Sequence, residues 1–283
     1  MEKYTVITGA CGGLGRAFVE ILANNKENLI LTGTSAEKLK KLTEEFSEIF
    51  KEIKVFTFVL DLAKKEDREN FIKFIQENHL EVNKLINNAG VIIEGDLERF
   101  SDEEISNAVE VNCVGTLDLT KKFLRIRNKE NLFEVLTVAS VASSYPIPHM
   151  AVYAATKAFL VSMMTSLAVE YKKQNVVFTT LCPGGMATTQ AMKDSIKSMG
   201  LGGKLSTLST KRVAKIGLKA LKHKKKVVIA GGFNKILVAF SKPTSKSFQA
   251  KCTGKIWKKS QMKRNFWYVL IIFFEIGLTK SVI

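Results

Sequence analysis

Three residues near the middle of the chain could carry out acid–base chemistry together. They lie in the run Ser140-Val-Ala-Ser-Ser-Tyr-Pro-Ile-Pro-His-Met-Ala-Val-Tyr153-Ala-Ala-Thr-Lys157. On a helix, Tyr153 and Lys157 are spaced i,i+4 and share one face. A free phenol titrates near a pKa of about 10 and holds its proton too tightly for fast transfer at neutral pH. A neighbouring ammonium stabilises phenolate, lowering the pKa toward the range a general acid or base needs. Ser140 could donate a hydrogen bond to a carbonyl oxygen as it becomes an alkoxide. A lone Tyr-x-x-x-Lys pair also occurs on ordinary helix surfaces, so its meaning depends on the rest of the chain.

The elements that must position these groups alternate in type. Short β-branched runs at residues 4–8, 29–33, 54–59, 84–87, 132–138 and 176–182 predict strands. Amphipathic stretches at 14–24, 36–50, 64–78, 102–127 and 151–173 predict helices between them. Such alternation implies a parallel sheet covered on both faces. With right-handed crossovers it becomes a doubly wound α/β, Rossmann-type fold. After Pro183-Gly184 comes a Gly-, Ser- and Thr-containing segment, 185–210, then a predicted helix at 211–223 and a strand at 227–231.

The chain has 283 residues, enough for one large domain or for one domain with an appendage. Cys11, Cys113, Cys182 and Cys252 are far apart and match neither a metal-ligand pattern nor a disulfide framework. Reduced thiols in a cytoplasmic setting are the expectation. The N-terminus shows no charged start followed by a long apolar stretch, so no secretory signal is read there.

Charge is unevenly placed. Residues 195–283 hold twenty lysines and arginines against one acid, Glu275. That net of +19 exceeds the +16 of the whole chain, so the first 194 residues are slightly acidic. The expected organisation is a single catalytic domain, 1–240, followed by a basic and apolar extension, 241–283. Within it, 251–264 is basic and 266–274 is apolar, too short for the roughly 20 residues of a spanning helix. Trp257, Trp267 and Tyr268 flanked by basic residues suit an anchor on an anionic membrane surface. A packed C-terminal helix or a dimer contact is the alternative. Nucleic-acid binding is not expected as the main function, because the tail lacks interleaved aromatics and a stacking surface.

Thr8-Gly9-Ala10-Cys11-Gly12-Gly13-Leu14-Gly15 follows the first strand and opens the first helix. Glycines there allow a tight turn and a close approach to a pyrophosphate on the helix N-terminus. Further along stand Asp61-Leu62, Asn87-Asn88-Ala89-Gly90, Asn112, Ser140, Tyr153/Lys157 and Pro183-Gly184. In order and spacing, residues 3–240 resemble the short-chain dehydrogenase/reductase family of the classical type. The resemblance implies a pyrophosphate turn at Gly9, Gly13 and Gly15, with Thr8 and Leu14 beside it. It implies adenine contacts from Asp61 and Leu62, a cofactor wall from Asn88, Ala89 and Gly90, and a nicotinamide site at Pro183, Gly184 and Thr188. It also implies a catalytic set of Asn112, Ser140, Tyr153 and Lys157, with Tyr153 as proton donor and Lys157 on the nicotinamide ribose. Asn112 would complete a proton relay through water, and no metal is implied.

The acid that would repel a 2′-phosphate is missing at Leu31-Thr32-Gly33-Thr34-Ser35. Thr34, Ser35 and Lys38 could bind one, so NADP is expected, with NAD possible. Met186, Met192, Ile196 and Met199, with Ile147, Pro148 and Met150, imply an apolar, adaptable pocket. The expected activity is hydride transfer between NADP(H) and a hydrophobic ketone, aldehyde or secondary alcohol. The alternative is a catalytically silent NADP-binding sensor or scaffold. The resemblance further implies a homodimer or homotetramer paired through the helices bearing Asn112 and Tyr153. Within the family, the pattern from 213 to 240 is similar to a subgroup that includes reductases of lipid-like substrates.

Overall fold

The computed structural model describes residues 2–186 and 205–261. Seven parallel strands form one sheet in the order β3-β2-β1-β4-β5-β6-β7. They are β1 (Lys3–Ile7), β2 (Asn28–Gly33), β3 (Val55–Val59), β4 (Glu81–Asn87), β5 (Phe133–Val138), β6 (Val176–Cys182) and β7 (Val227–Ile229). The helices are α1 (Gly13–Asn24), α2 (Ala36–Glu45), α3 (Ser47–Phe50), α4 (Lys65–Glu77), α5 (Asp102–Val109), α6 (Thr116–Ile126), α7 (Ala151–Glu170), α8 (Thr210–Lys222), α9 (Gly232–Ser241) and α10 (Lys246–Gln261). This is the expected doubly wound α/β sheet.

The strands are apolar on both faces because both faces are covered. Alternate residues divide between two cores, as a two-residue period requires. Ile7, Leu29, Leu31, Ile86, Leu136 and Leu181 meet Phe18 and Leu22 of α1, Leu39 and Leu42 of α2, and Val213 and Leu221 of α8. On the other face, Val6, Ile30, Leu85, Val135 and Phe178 meet Phe71 of α4, Phe123 of α6 and Met164 of α7. Strand order reverses between β1 and β4, and the loops leaving those two strands open the crevice where ligands bind in such sheets.

Three differences from the predicted elements have local causes. β4 begins at Glu81, earlier than expected, because its polar residues are paired: buried Lys84 reaches Glu27 at 2.7 Å and Glu134 at 3.6 Å. The predicted helix 36–50 breaks at Phe46, whose ring stacks on Phe50 at 6.0 Å. The predicted helix 102–127 is interrupted by a π-helical turn, Glu110–Gly115, which carries Asn112. There a Cβ on Gly115 would lie 2.9 Å from Leu62 Cβ, so glycine lets this turn press against the loop after β3.

Candidate active site

The glycine turn is built by backbone. Gly9 has φ +63°, and a Cβ there would lie 2.9 Å from Ala89 Cα. A Cβ on Gly15 would lie 2.9 Å from Ala10 Cα, so α1 starts hard against the turn. Thr8 and Asn88 brace it across the sheet. Thr8 Oγ1 accepts from the Asn88 and Ala89 N–H groups at 3.0 and 3.1 Å. Asn88 Nδ2 donates to the carbonyls of Thr8 and Gly9, both at 3.0 Å. The polar atoms of these two residues thus set the position of the turn's walls.

At the outer end, Ser35 caps α2, its Oγ accepting from the Lys38 N–H at 3.2 Å. Asp61 Oδ1 accepts from the Ala63 N–H at 3.0 Å. The Leu62 carbonyl is held by buried Arg68, which also pairs with Asp118 at 2.8 Å. Sequence reasoning missed Arg68, whose signal, a lone arginine on a helix, looks like solvated surface.

At the inner end, Lys157 and Asn112 converge over Gly90. A Cβ on Gly90 would lie 3.0 Å from Lys157 Nζ and 3.1 Å from Asn112 Oδ1. Asn112 is fully buried; it accepts from the Val91 N–H and donates to the Val91 carbonyl, both at 2.8 Å. Its Nδ2 also donates to Thr156 Oγ1 at 3.1 Å. Lys157 Nζ donates to the Val138 carbonyl at 3.1 Å. Burial pulls its pKa down to about 8, partly offset by Cys113 and Cys182.

Tyr153 differs from expectation in one respect. Burial raises its pKa, and the Ser140 hydroxyl, hydrogen-bonded to it, is what draws it back. Lys157 Nζ lies 5.8 Å from the tyrosine ring centre and spends a hydrogen bond on Val138, so it does not depress the phenol in this geometry. Tyr153 is therefore held protonated, which suits a proton donor. Ser140 also caps the short turn Val141–Ser144, accepting from the Ala142 N–H at 3.1 Å.

One cavity of about 1160 Å³ joins these parts. It runs from Thr34, Ser35 and Lys38 past Gly9, Gly13, Leu14, Asp61 and Leu62 to Asn88, Ala89 and Gly90. It continues to Ser140, Tyr153, Lys157, Pro183 and Gly184. Gly15 and Asn112 support it from behind. Thr188, Met192, Ile196, Met199, Trp267 and Tyr268 lie outside the described residues.

Beyond the tyrosine the wall turns apolar, with Val91, Ile92, Ile147, Met150 and Met186 among its residues. Sequence reasoning missed Asn234, which is buried and donates to the Ala230 carbonyl at 2.7 Å and the Ser206 carbonyl at 3.0 Å. A Cβ on Gly184 would lie 2.9 Å from Asn234 Cγ, so that glycine and asparagine are matched. The Gly231-Gly232 pair just before it, with φ +96° at Gly231, was the available signal. For α10 the alternative read from the sequence, a packed C-terminal helix, is what stands here, while its place on the cavity was missed. The described part of the basic extension is a helix laid along the cavity, with Phe248, Cys252, Ile256 and Trp257 facing it.

Residues 3–199 match the family model described as short chain dehydrogenase. The chain belongs to the short-chain dehydrogenases. This is a family of NAD(P)-dependent oxidoreductases, and the expectation drawn from the motifs is met. This short-chain dehydrogenase is 34% identical over 177 residues to a very-long-chain 3-oxoacyl-CoA reductase of Neurospora crassa. The match covers 61% of this chain and 53% of the relative, so the chain spans about half that protein's length. In fold it is similar to a 7β-hydroxysteroid dehydrogenase, with TM-score 0.80 and 22% identity, covering 89% of this chain and 96% of the other. An alcohol dehydrogenase from Thermococcus sibiricus, solved with 5-hydroxy-NADP, aligns with TM-score 0.66 and 27% identity, covering 81% and 96%. Helices α8, α9 and α10 lie beyond the residues that the family model matches.

Proposed function

We propose that the protein is an NADP(H)-dependent reductase of hydrophobic ketones or aldehydes, working in reverse on secondary alcohols. The observation that carries this reading is the single cavity. It links a glycine cradle, a buried hydroxyl–phenol–ammonium group and an apolar wall. The residues fit a dinucleotide: the Gly9 turn leaves no room for a side chain, and Gly90 keeps the floor open beneath Lys157. Gly9, Gly13, Leu14 and Gly15 would hold the pyrophosphate, Asp61 and Leu62 the adenine, and Pro183, Gly184 and Thr188 the nicotinamide. Lys38, with Thr34 and Ser35, would hold a 2′-phosphate, since no acid stands at the end of β2. The Thermococcus sibiricus neighbour solved with an NADP derivative supports that choice over NAD.

The cofactor supplies the hydride. The chain's own residues manage the proton and the oxygen. Ser140 would orient the carbonyl oxygen toward the Tyr153 hydroxyl, which donates its proton as negative charge develops. Lys157 would place its charge beneath the site and grip the ribose. Asn112 would keep the Val91 loop and the Lys157 pocket in register and stand at the inner end of the relay. The name of the Neurospora crassa relative, a very-long-chain 3-oxoacyl-CoA reductase, supports an apolar substrate.

Two partner assignments accompany this reading. Pairing of two copies through α5, α6 and α7 is supported by exposed Val109, Val114, Leu117, Phe159 and Val169 on those elements and the turn between them. α7 is long and apolar enough to cross a membrane, but it carries Tyr153 and Lys157 against the sheet, so its outer face suits a subunit contact better. An anionic membrane surface beside the extension 241–283 is supported by its lysines, which have no acidic partner among the described residues. The glycine cradle and the acid–base residues would then lie within residues 1–240, in the cytoplasm, with α10 of the extension bordering the cavity they share.

The test is oxidation of NADPH and of NADH, followed by absorbance, against ketones and aldehydes of increasing chain length. Turnover with NADPH that grows with apolar length is the expected result. A preference for NADH overturns the cofactor assignment. Tight NADPH binding with no turnover on any carbonyl overturns the reductase reading in favour of a sensor.

A further inference from the structure

The geometry points to a second chamber in the cavity, beyond Tyr153, that holds the hydrocarbon tail of the substrate, with Trp257 as its end wall. This rests on the reductase reading above and extends it to the part of the substrate that does not react. The chamber is lined by Phe233 and Leu237 from α9 and by Phe248, Cys252, Ile256 and Trp257 from α10. All six are apolar or weakly polar, and none presents a charge to the interior. Ser241, Thr244, Gln249 and Thr253 also border the cavity here, but their hydroxyls and the Gln249 Nε2 donate to carbonyls of the chain. No cation stands among these residues, so a carboxylate would lack a counter-charge, whereas an alkyl chain gains from burial.

The wall is fixed rather than loosely laid down. Trp257 Nε1 donates to Glu94 Oε1 at 2.6 Å. The indole stacks on His149, with ring centres 3.7 Å apart and planes 18° apart. His149 Nδ1 is in turn 2.7 Å from Asp96 Oδ1, and the His149 carbonyl accepts from the Gly95 N–H at 2.7 Å. His149 holds a left-handed backbone, φ +63°, which costs a non-glycine residue energy and turns its ring toward the indole. One turn earlier on α10, Thr253 Oγ1 donates to the Pro146 carbonyl at 2.7 Å. A Cβ on Gly254 would lie 3.1 Å from Pro148 Cγ, so the helix backbone is seated directly on this loop. α10 is thus pinned to the loop after β4 and to the loop before α7, the two loops that flank the reacting centre. A wall pinned to both cannot swing away without releasing both, so it limits substrate length.

The experiment compares kcat/KM with NADPH for butanone, 2-octanone and 2-dodecanone in wild type, Cys252→Trp and Trp257→Ala. Cys252→Trp fills the chamber and should lower the ratio of 2-dodecanone to butanone on the order of tenfold or more, the scale of apolar-pocket discrimination. Trp257→Ala removes the end wall and should raise the ratio for the longest ketone. Ratios unchanged in both variants overturn the chamber. NADPH affinity, read by fluorescence, reports whether each variant is folded; if Cys252→Trp has lost it, Ile256→Trp on the next turn carries the same comparison. If the wild type reduces none of the three ketones, the reductase reading falls by itself. The chamber is then tested by calorimetry with 2-dodecanol. Binding to wild type that is lost on filling supports it, and no binding, or equal binding to both, overturns it.

Discussion

The two ends of the cavity are built by different means. The cofactor end is made of backbone, from four loops that leave neighbouring strands β1 to β4. The substrate end is made of side chains, and its parts come from distant places: Trp257 meets Glu94 across 163 positions of sequence. A backbone-built site demands particular residues, because only glycine tolerates φ +63° with the Ala89 Cα 2.9 Å from where its Cβ would be. A side-chain-built wall demands only apolar volume, which many residues supply. The first kind should therefore fail sharply when altered, the second gradually and in a substrate-dependent way.

The largest effect should come where the two ends meet. Tyr153→Phe keeps the ring and removes the proton, and kcat should fall at least about 10²-fold, the scale of general acid catalysis. NADPH affinity measured alongside should change far less. A variant keeping most of its turnover would remove Tyr153 from the chemistry.

Lys157 gives the next effect, on stability. Its folded-state pKa is pulled down by burial from 10.5 to about 8. Between those values the unfolded chain binds the proton and the folded chain does not, so this group makes stability rise with pH across that window. Below about 8 the full cost of a buried charge is present, roughly 3 kcal/mol. Lys157→Met, which removes that cost, should be the more stable form near neutral pH by urea unfolding. Its advantage should shrink steadily toward pH 10.5. An advantage constant over that range would mean that the ammonium is better solvated than its burial implies.

Gly9→Ala tests the backbone-built end itself. The added methyl forces a left-handed residue against Ala89, a strain of about 1–3 kcal/mol. The NADPH dissociation constant should rise roughly 5- to 150-fold by the same energy. The ratio of kcat/KM for long over short ketones should stay where it was. A change in that ratio would show that the two ends are mechanically coupled.

The same division explains what could be read from sequence. The seven strands, the glycine turn and the Ser140, Tyr153 and Lys157 grouping were legible from pattern and spacing, whereas Asp61 and Asn88 stood out only through the family resemblance. The π-helical turn that aims Asn112 was not legible, because residues 102–127 carry an uninterrupted helical pattern. Only the contact of Gly115 with Leu62, a tertiary fact, breaks it. Arg68 and Lys84 carried no signal of burial in the sequence, yet both are buried against partners supplied by other elements. α10 read first as a basic, membrane-facing tail, with a packed helix as the alternative, because its lysines dominate the composition. Its function-facing residues, Phe248, Cys252, Ile256 and Trp257, follow helical spacing that becomes meaningful only once the cavity is known to lie beneath them.

The smallest effect concerns the outermost part of the cofactor end, where side chains again replace backbone. Lys38 is exposed, borders the cavity, and its N–H is already committed to capping α2 through Ser35. Its ammonium is free of any ion pair among the described residues. An exposed charge of this kind contributes about 1 kcal/mol or less, and salt screens it. Lys38→Ala should therefore lower the kcat/KM ratio of NADPH over NADH by only a few-fold, about fivefold at low ionic strength by that energy. The loss should fade as salt is added. A ratio that does not move would take the 2′-phosphate away from Lys38 and leave Thr34 and the α2 N-terminus to hold it. A loss that persists undiminished in high salt would mean that the lysine acts through the cap geometry of α2 rather than through its charge.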